Sequence, residues 1–108
     1  MKYSVAEIEY MRELIRLTVQ YHPYVESWTN WYSKVDNDML EARLQTHMMN
    51  GTKPKEIKRV LKKRIKKAQT EVDRLVDEGY DDVAKNIQET MRMLKADLRG
   101  LDAVYRNK

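Results

Sequence analysis

The side chains most able to do chemistry are few and poorly spaced for it. The two histidines, His22 and His47, lie far apart, and neither falls in an H-E-x-x-H or comparable metal-ligand spacing. His22 has Glu26 four residues on, the one pairing that could hold a metal or pass a proton. Its place before Pro23, however, suits a helix end, and His47 suits a helix C-terminus, where a cationic ring meets the dipole favourably. Gly51, Gly79 and Gly100 are isolated, so no loop can cradle a phosphate with successive backbone amides. The chain has no cysteine, which removes thiolate nucleophiles and thiolate metal sites.

Carboxylates are the other source of hydrolytic chemistry. Glu71, Asp73, Asp77, Glu78, Asp81 and Asp82 cluster closely. An all-helical, magnesium-dependent phosphohydrolase would need acids repeated in E-x-x-E fashion on facing helices, and that repeat is missing. Asp36 and Asp38 open something like a calcium loop, but the glycine and distal glutamate of such a loop do not follow. These acids read as a polar turn and as helix caps. The expectation is a protein that is not an enzyme and that uses no metal or other cofactor.

Binding is better supplied. The stretch Lys53 to Lys67, KPKEIKRVLKKRIKK, carries nine lysines and arginines against one glutamate. The whole chain has a formal charge of only +4, so the remainder is net acidic and the molecule is polarised. On a helix, Lys55, Arg59, Lys62 and Lys66 fall in one stripe, about 100° to 160° from Leu61. Like charges meet at Arg59/Lys63, Lys62/Lys66 and Lys63/Lys67, where an ordinary solvated face would alternate Glu with Lys. Cations also occupy the N-terminal half of this segment and acids its C-terminal half, against the helix dipole by about 0.3 to 1 kcal/mol per terminal charge. Helix stability therefore does not explain the arrangement. Lys55, Arg59, Lys62, Lys63 and Lys66 form the expected ligand-binding set, with nucleic acid or another phosphate-bearing ligand, or an acidic protein surface, as partner. Trp31 joins them, because it falls about 100° off the face shared by Val25, Trp28, Tyr32 and Val35 and could stack on a base or anchor a partner.

Helices must position all of these residues. Ser4 with Glu7 makes a capping box, and Ile8, Met11, Ile15, Thr18 and Val19 then repeat on one face until Tyr21. A short aromatic segment follows Pro23. Asp38 and Glu41 form a second candidate box ahead of Leu40, Leu44 and Met48, with a stop at Asn50 and Gly51. Thr52 can cap a helix on Ile57, Leu61, Ile65, Ala68, Val72 and Leu75 that ends at Gly79. Val83, Ile87, Met91, Leu94, Leu98, Leu101 and Tyr105 repeat the same steps of three and four to the end of the chain. The spacing predicts an all-α fold, a small helical bundle in one domain over 1–108. Residues 53–106 form a long antiparallel coiled-coil hairpin with its turn near 78–81, and residues 4–50 form two or three shorter N-terminal helices. In that hairpin Lys58 comes near Asp102 and Lys62 near Asp97, while Arg92, Lys95, Arg99, Arg106 and Lys108 add charge to the basic end. Gly100, inside the last helix, marks close packing or a weak point.

Composition sets the surroundings. With 42% hydrophobic and 35% charged residues, the chain is apolar enough to fold and more charged than an average domain. A cysteine-free chain suits a reducing cytoplasm, and acids interrupt the N-terminal segment where a secretory signal needs an unbroken apolar core. The hairpin outreaches the first helix, so a second copy of the chain is expected to cover part of it. The function expected is a non-enzymatic, basic helical binding protein for nucleic acid or another phosphate-bearing ligand. The alternative is a protein-directed regulator or inhibitor, of the kind phages encode, that uses the same helix or the Trp-rich segment.

Overall fold

The computed structural model of the protein describes residues 2–20 and 37–107. Among them are four helices and no strand: α1 (Val5–Gln20), α2 (Asn37–Met49), α3 (Pro54–Asp77) and α4 (Asp81–Arg106). The fold is an all-α small helical bundle. Trp31 and the aromatic segment around it lie outside the described residues.

α1 starts where its capping box dictates. The Ser4 amide donates to Glu7 Oε1 at 2.9 Å, and the Glu7 amide donates to Ser4 Oγ at 3.1 Å. The hydrogen bonds from Ser4 hold the Glu7 carboxyl below its usual value. The buried surface of this helix is wider than one stripe. Tyr10, Leu14 and Leu17 are buried together with Met11, Ile15 and Val19, because α1 packs against α2, α3 and α4 at once. An apolar arc this broad belongs to a helix enclosed by neighbours.

Three helix ends correct the sequence reading. α2 is already helical at Asn37, so Asp38 sits inside its first turn rather than at its cap, and Glu41 turns away to pair with Arg12 of α1 at 2.6 Å. α3 is capped one residue later than Thr52, at Lys53, with Pro54 in its first turn. There the Lys53 amide donates to Glu56 Oε2 at 2.8 Å. Pro54 is what shifts the boundary, since proline is preorganised for the first helical position. At the start of α4 it is Ala84 that is buried, whereas Val83 is exposed; the small side chain lets the two helices approach near the turn.

Gly51 and Gly79 stop α2 and α3 at φ 72° and 87°, a region that other residues enter at a cost. The Tyr80 amide donates back to the Leu75 carbonyl at 2.8 Å and the Gly79 amide to that of Val76 at 3.1 Å, which satisfies the last carbonyls of α3. The same pair of bonds closes α2 at His47 and Met48. Gly100 differs from both: a methyl group built on it would touch nothing, so it does not mark close packing.

α3 and α4 run antiparallel from the turn at 78–80. Ile57, Leu61, Ala68, Val72 and Leu75 of one and Ala84, Ile87, Met91, Leu94 and Leu98 of the other are buried. The core falls into two clusters. Ile57, Leu61, Leu94 and Leu98 join α1 and α2 in the larger; Ala68, Val72, Leu75, Ala84, Ile87 and Met91 form a smaller one toward the turn, and Ile65 packs against both.

Candidate functional site

Helix geometry sorts the nine cations of Lys53–Lys67 by the direction each one faces. Lys58, beside the buried seam, reaches across to α4 and pairs with Asp102 at 2.7 Å, as the hairpin register anticipates. Arg64, on the opposite flank, donates to the Thr18 carbonyl at 2.7 Å and so satisfies the C-terminal end of α1. These two cations hold the bundle together. Lys55, Arg59, Lys62, Lys63 and Lys66 are all exposed. Among the described residues no ion pair engages any of the five. Lys63 is rotated past Arg59, about 200° from Leu61, and extends the set around the helix rather than along the stripe.

α4 adds to this surface. Counted from Leu94, Lys95, Arg99 and Arg106 fall about 100° to 140° around their helix, and all three are exposed. Antiparallel helices are read in opposite senses, so equal rotations from facing seams bring both sets to one side of the hairpin. Two depressions between the helices mark that side. At the basic end Lys53, Lys55 and Lys58 share an open groove of about 480 Å³ with Asp102, Tyr105 and Arg106 of α4 and with Glu7 and Tyr10 of α1. Further along, Gln69 of α3 lies in a shallow hollow with Arg92 and Lys95 of α4. With Lys58 opposite Asp102, Lys62 comes level with Leu98 and Lys66 with Leu94, each beside the α4 cations. Sequence reasoning brought Arg92, Lys95, Arg99 and Arg106 to this end of the molecule. The facing seams add that Lys95, Arg99 and Arg106 share a face with the α3 stripe.

Behind the groove, Tyr10 supports the charged pair. Its hydroxyl donates to Asp102 Oδ1 at 2.6 Å while Lys58 donates to Oδ2, and its ring stacks on Tyr105 with centroids 4.0 Å apart. Burial disfavours the Asp102 anion, but the hydrogen bonds from Lys58 and Tyr10 outweigh it and hold the carboxyl below its usual value. Burial, and next the bond to Asp102, push the Tyr10 hydroxyl up. Tyr10 was missed in the sequence because it precedes Met11, the position that carried the helical count.

The acidic cluster has partners of its own. Arg74 bridges Glu71 and Glu78, and Gln69 donates to Asp73 at 3.1 Å. Asp81 and Asp82 stand in the first turn of α4, where negative charge suits the dipole. Among the described residues no three acidic or histidine side chains gather as metal ligands would. His47, in the last turn of α2, has Nδ1 3.3 Å from Thr52 Oγ1.

Comparison with protein-family models, curated proteins and solved structures finds nothing that matches this chain. Its function has to be read from its own residues. Among the described residues, no helix is long and apolar enough to cross a membrane.

Proposed function

We propose that this is a non-enzymatic binding protein that engages nucleic acid through its phosphates, without reading bases. The supporting observation is the division of labour on α3. Lys58 and Arg64 are spent on the fold, whereas Lys55, Arg59, Lys62, Lys63 and Lys66 stand in solvent without ion pairs among the described residues. Maintaining like charges at successive turns costs helix stability. A polyanion that releases its condensed counterions on contact would offset that cost. The absence of cysteine suits a reducing cytoplasm as the place where this happens.

The test is titration of the protein with short oligonucleotides at about 150 mM salt, where attraction beyond roughly 8 Å is screened. Binding is expected to weaken with salt by a log-log slope of about −0.7 to −0.9 per phosphate contacted, and to vary little with base sequence. Reversing Arg59, Lys62 and Lys66 to Glu should abolish it while leaving the fold intact, since all three face water. If no oligonucleotide binds, this proposal falls and the regulator that presents the basic helix to an acidic protein takes its place. Molecular mass measured with and without oligonucleotide in the same series reports whether a second copy of the chain takes part.

A further inference from the structure

We infer that the ligand of this surface is a duplex, held by two rows of cations that take the phosphates of its two strands. The inference rests on the phosphate-binding function proposed above and specifies the partner. One row is Lys55, Arg59, Lys62 and Lys66 on α3; the other is Lys95, Arg99 and Arg106 on α4, all exposed. Each row runs about 16 Å along its helix at 1.5 Å per residue. The rows stand farther apart than the axes of packed helices, about 8 to 10 Å, because both point away from the facing seam. A duplex offers the matching object, two phosphate ridges flanking a groove of about 6 or 12 Å. A single strand offers one line of phosphates and can fill one row at a time.

The shape of the surface favours the same partner. Two helices side by side, each about 10 to 12 Å across with side chains, are too broad to enter a groove of about 12 Å. The face must lie over the sugar-phosphate ridges, where contacts position a protein without reading sequence. Single-strand binders combine a basic track with aromatic rings on which bases stack. Between the two rows lies the Lys58–Asp102 pair; Gln69, Gln88 and Met91 come just past their turn-ward ends, and among the described residues the ring at the basic end, Tyr105, is packed on Tyr10. Among the described residues, electrostatics on this face therefore operates with little help from stacking.

The experiment uses the full chain and two probes, a 20-base-pair DNA duplex and one of its strands. Two neutralised variants accompany them, Lys62→Gln with Lys66→Gln and Lys95→Gln with Arg99→Gln. Thermal melting of each variant, expected to match the native protein because the four positions face solvent, confirms folding. The duplex is expected to bind about tenfold or more tightly than the strand, because twice as many counterions are released. Each variant should reduce the duplex salt slope by roughly 1 to 2, from about 0.9 per lost phosphate contact. A single strand bound as tightly as the duplex overturns the two-row inference, as does an α4 variant with an unchanged duplex slope; either result leaves phosphate binding by α3 standing. Absence of binding to both probes overturns the proposed function and this inference with it.

Discussion

Tyr10, Lys58 and Asp102 tie α1, α3 and α4 at a single point, and the electrostatics of that point set how stability depends on pH. Asp102 is held below its ordinary value in the folded protein. Its contribution is present above the unfolded carboxyl value of about 3.9 and is lost as pH falls through the folded one. Tyr10 is shifted upward, so its contribution is complete below the unfolded value of about 10 and fades as pH rises above it. Denaturant midpoints recorded from pH 2 to 11 should decline at both ends. Asp102→Asn should flatten the acid limb and Tyr10→Phe the alkaline limb. At neutral pH, Asp102→Ala should cost about 1 to 3 kcal/mol, because it leaves a lysine and a largely buried phenol without their acceptor. An acid limb unchanged in Asp102→Asn would mean that this carboxylate does not carry the dependence.

At the scale of the helices, caps and seams decide, and two glycines on neighbouring elements separate their effects. Gly79→Ala places a side chain at φ 87° and should destabilise by about 1 to 2 kcal/mol. Gly100→Ala adds a methyl into open space within a helix and should stabilise by about 0.5 to 1 kcal/mol. Leu94→Ala removes a completely buried side chain and should cost about 2 to 5 kcal/mol. Thermal melting of the three variants checks all of these signs. The hairpin was legible because Ile57, Leu61, Ile65, Ala68, Val72 and Leu75 keep a seam of threes and fours along one helix. Its register was legible in part: a stop at Gly79 brings Lys58 near Asp102, with which it pairs, whereas Lys62, expected near Asp97, makes no ion pair among the described residues. The breadth of the buried face of α1 was not, because a periodic count follows one face, and only the positions of three other helices make Tyr10, Leu14 and Leu17 interior. The same limit applied to the site. Exposed cations on α3 could be read from their angles around one helix, but the division into structural Lys58 and Arg64 and outward Lys62 and Lys66 needed the carbonyl of Thr18 and the carboxylate of Asp102 in place.

Across the whole molecule, charge and packing vary along the hairpin in the same direction. Among the described residues, the basic end is backed by the larger core cluster, twelve buried residues drawn from all four helices; the turn end holds six, two of them alanine, from α3 and α4. Local opening costs roughly what the apolar contacts of a segment supply, so the turn end should open more readily. Amide hydrogen exchange measures this residue by residue. The amides of Val72, Leu75, Ile87 and Met91 are expected to exchange through openings of lower free energy than those of Leu61, Leu94 and Leu98, which should approach the global value. Equal values at both ends would show a single cooperative unit and refute the gradient. The gradient also bears on binding, because Arg59, Lys62 and Arg99 project from the half with the larger core. A polyanion seated on a rigid face gives up less ordering entropy than one that must also order its receptor. Saturating duplex should therefore raise protection around Leu61 and Leu98 and leave the openings at Val72 and Ile87 nearly unchanged, whereas a uniform rise along both helices would mean that binding orders the whole hairpin.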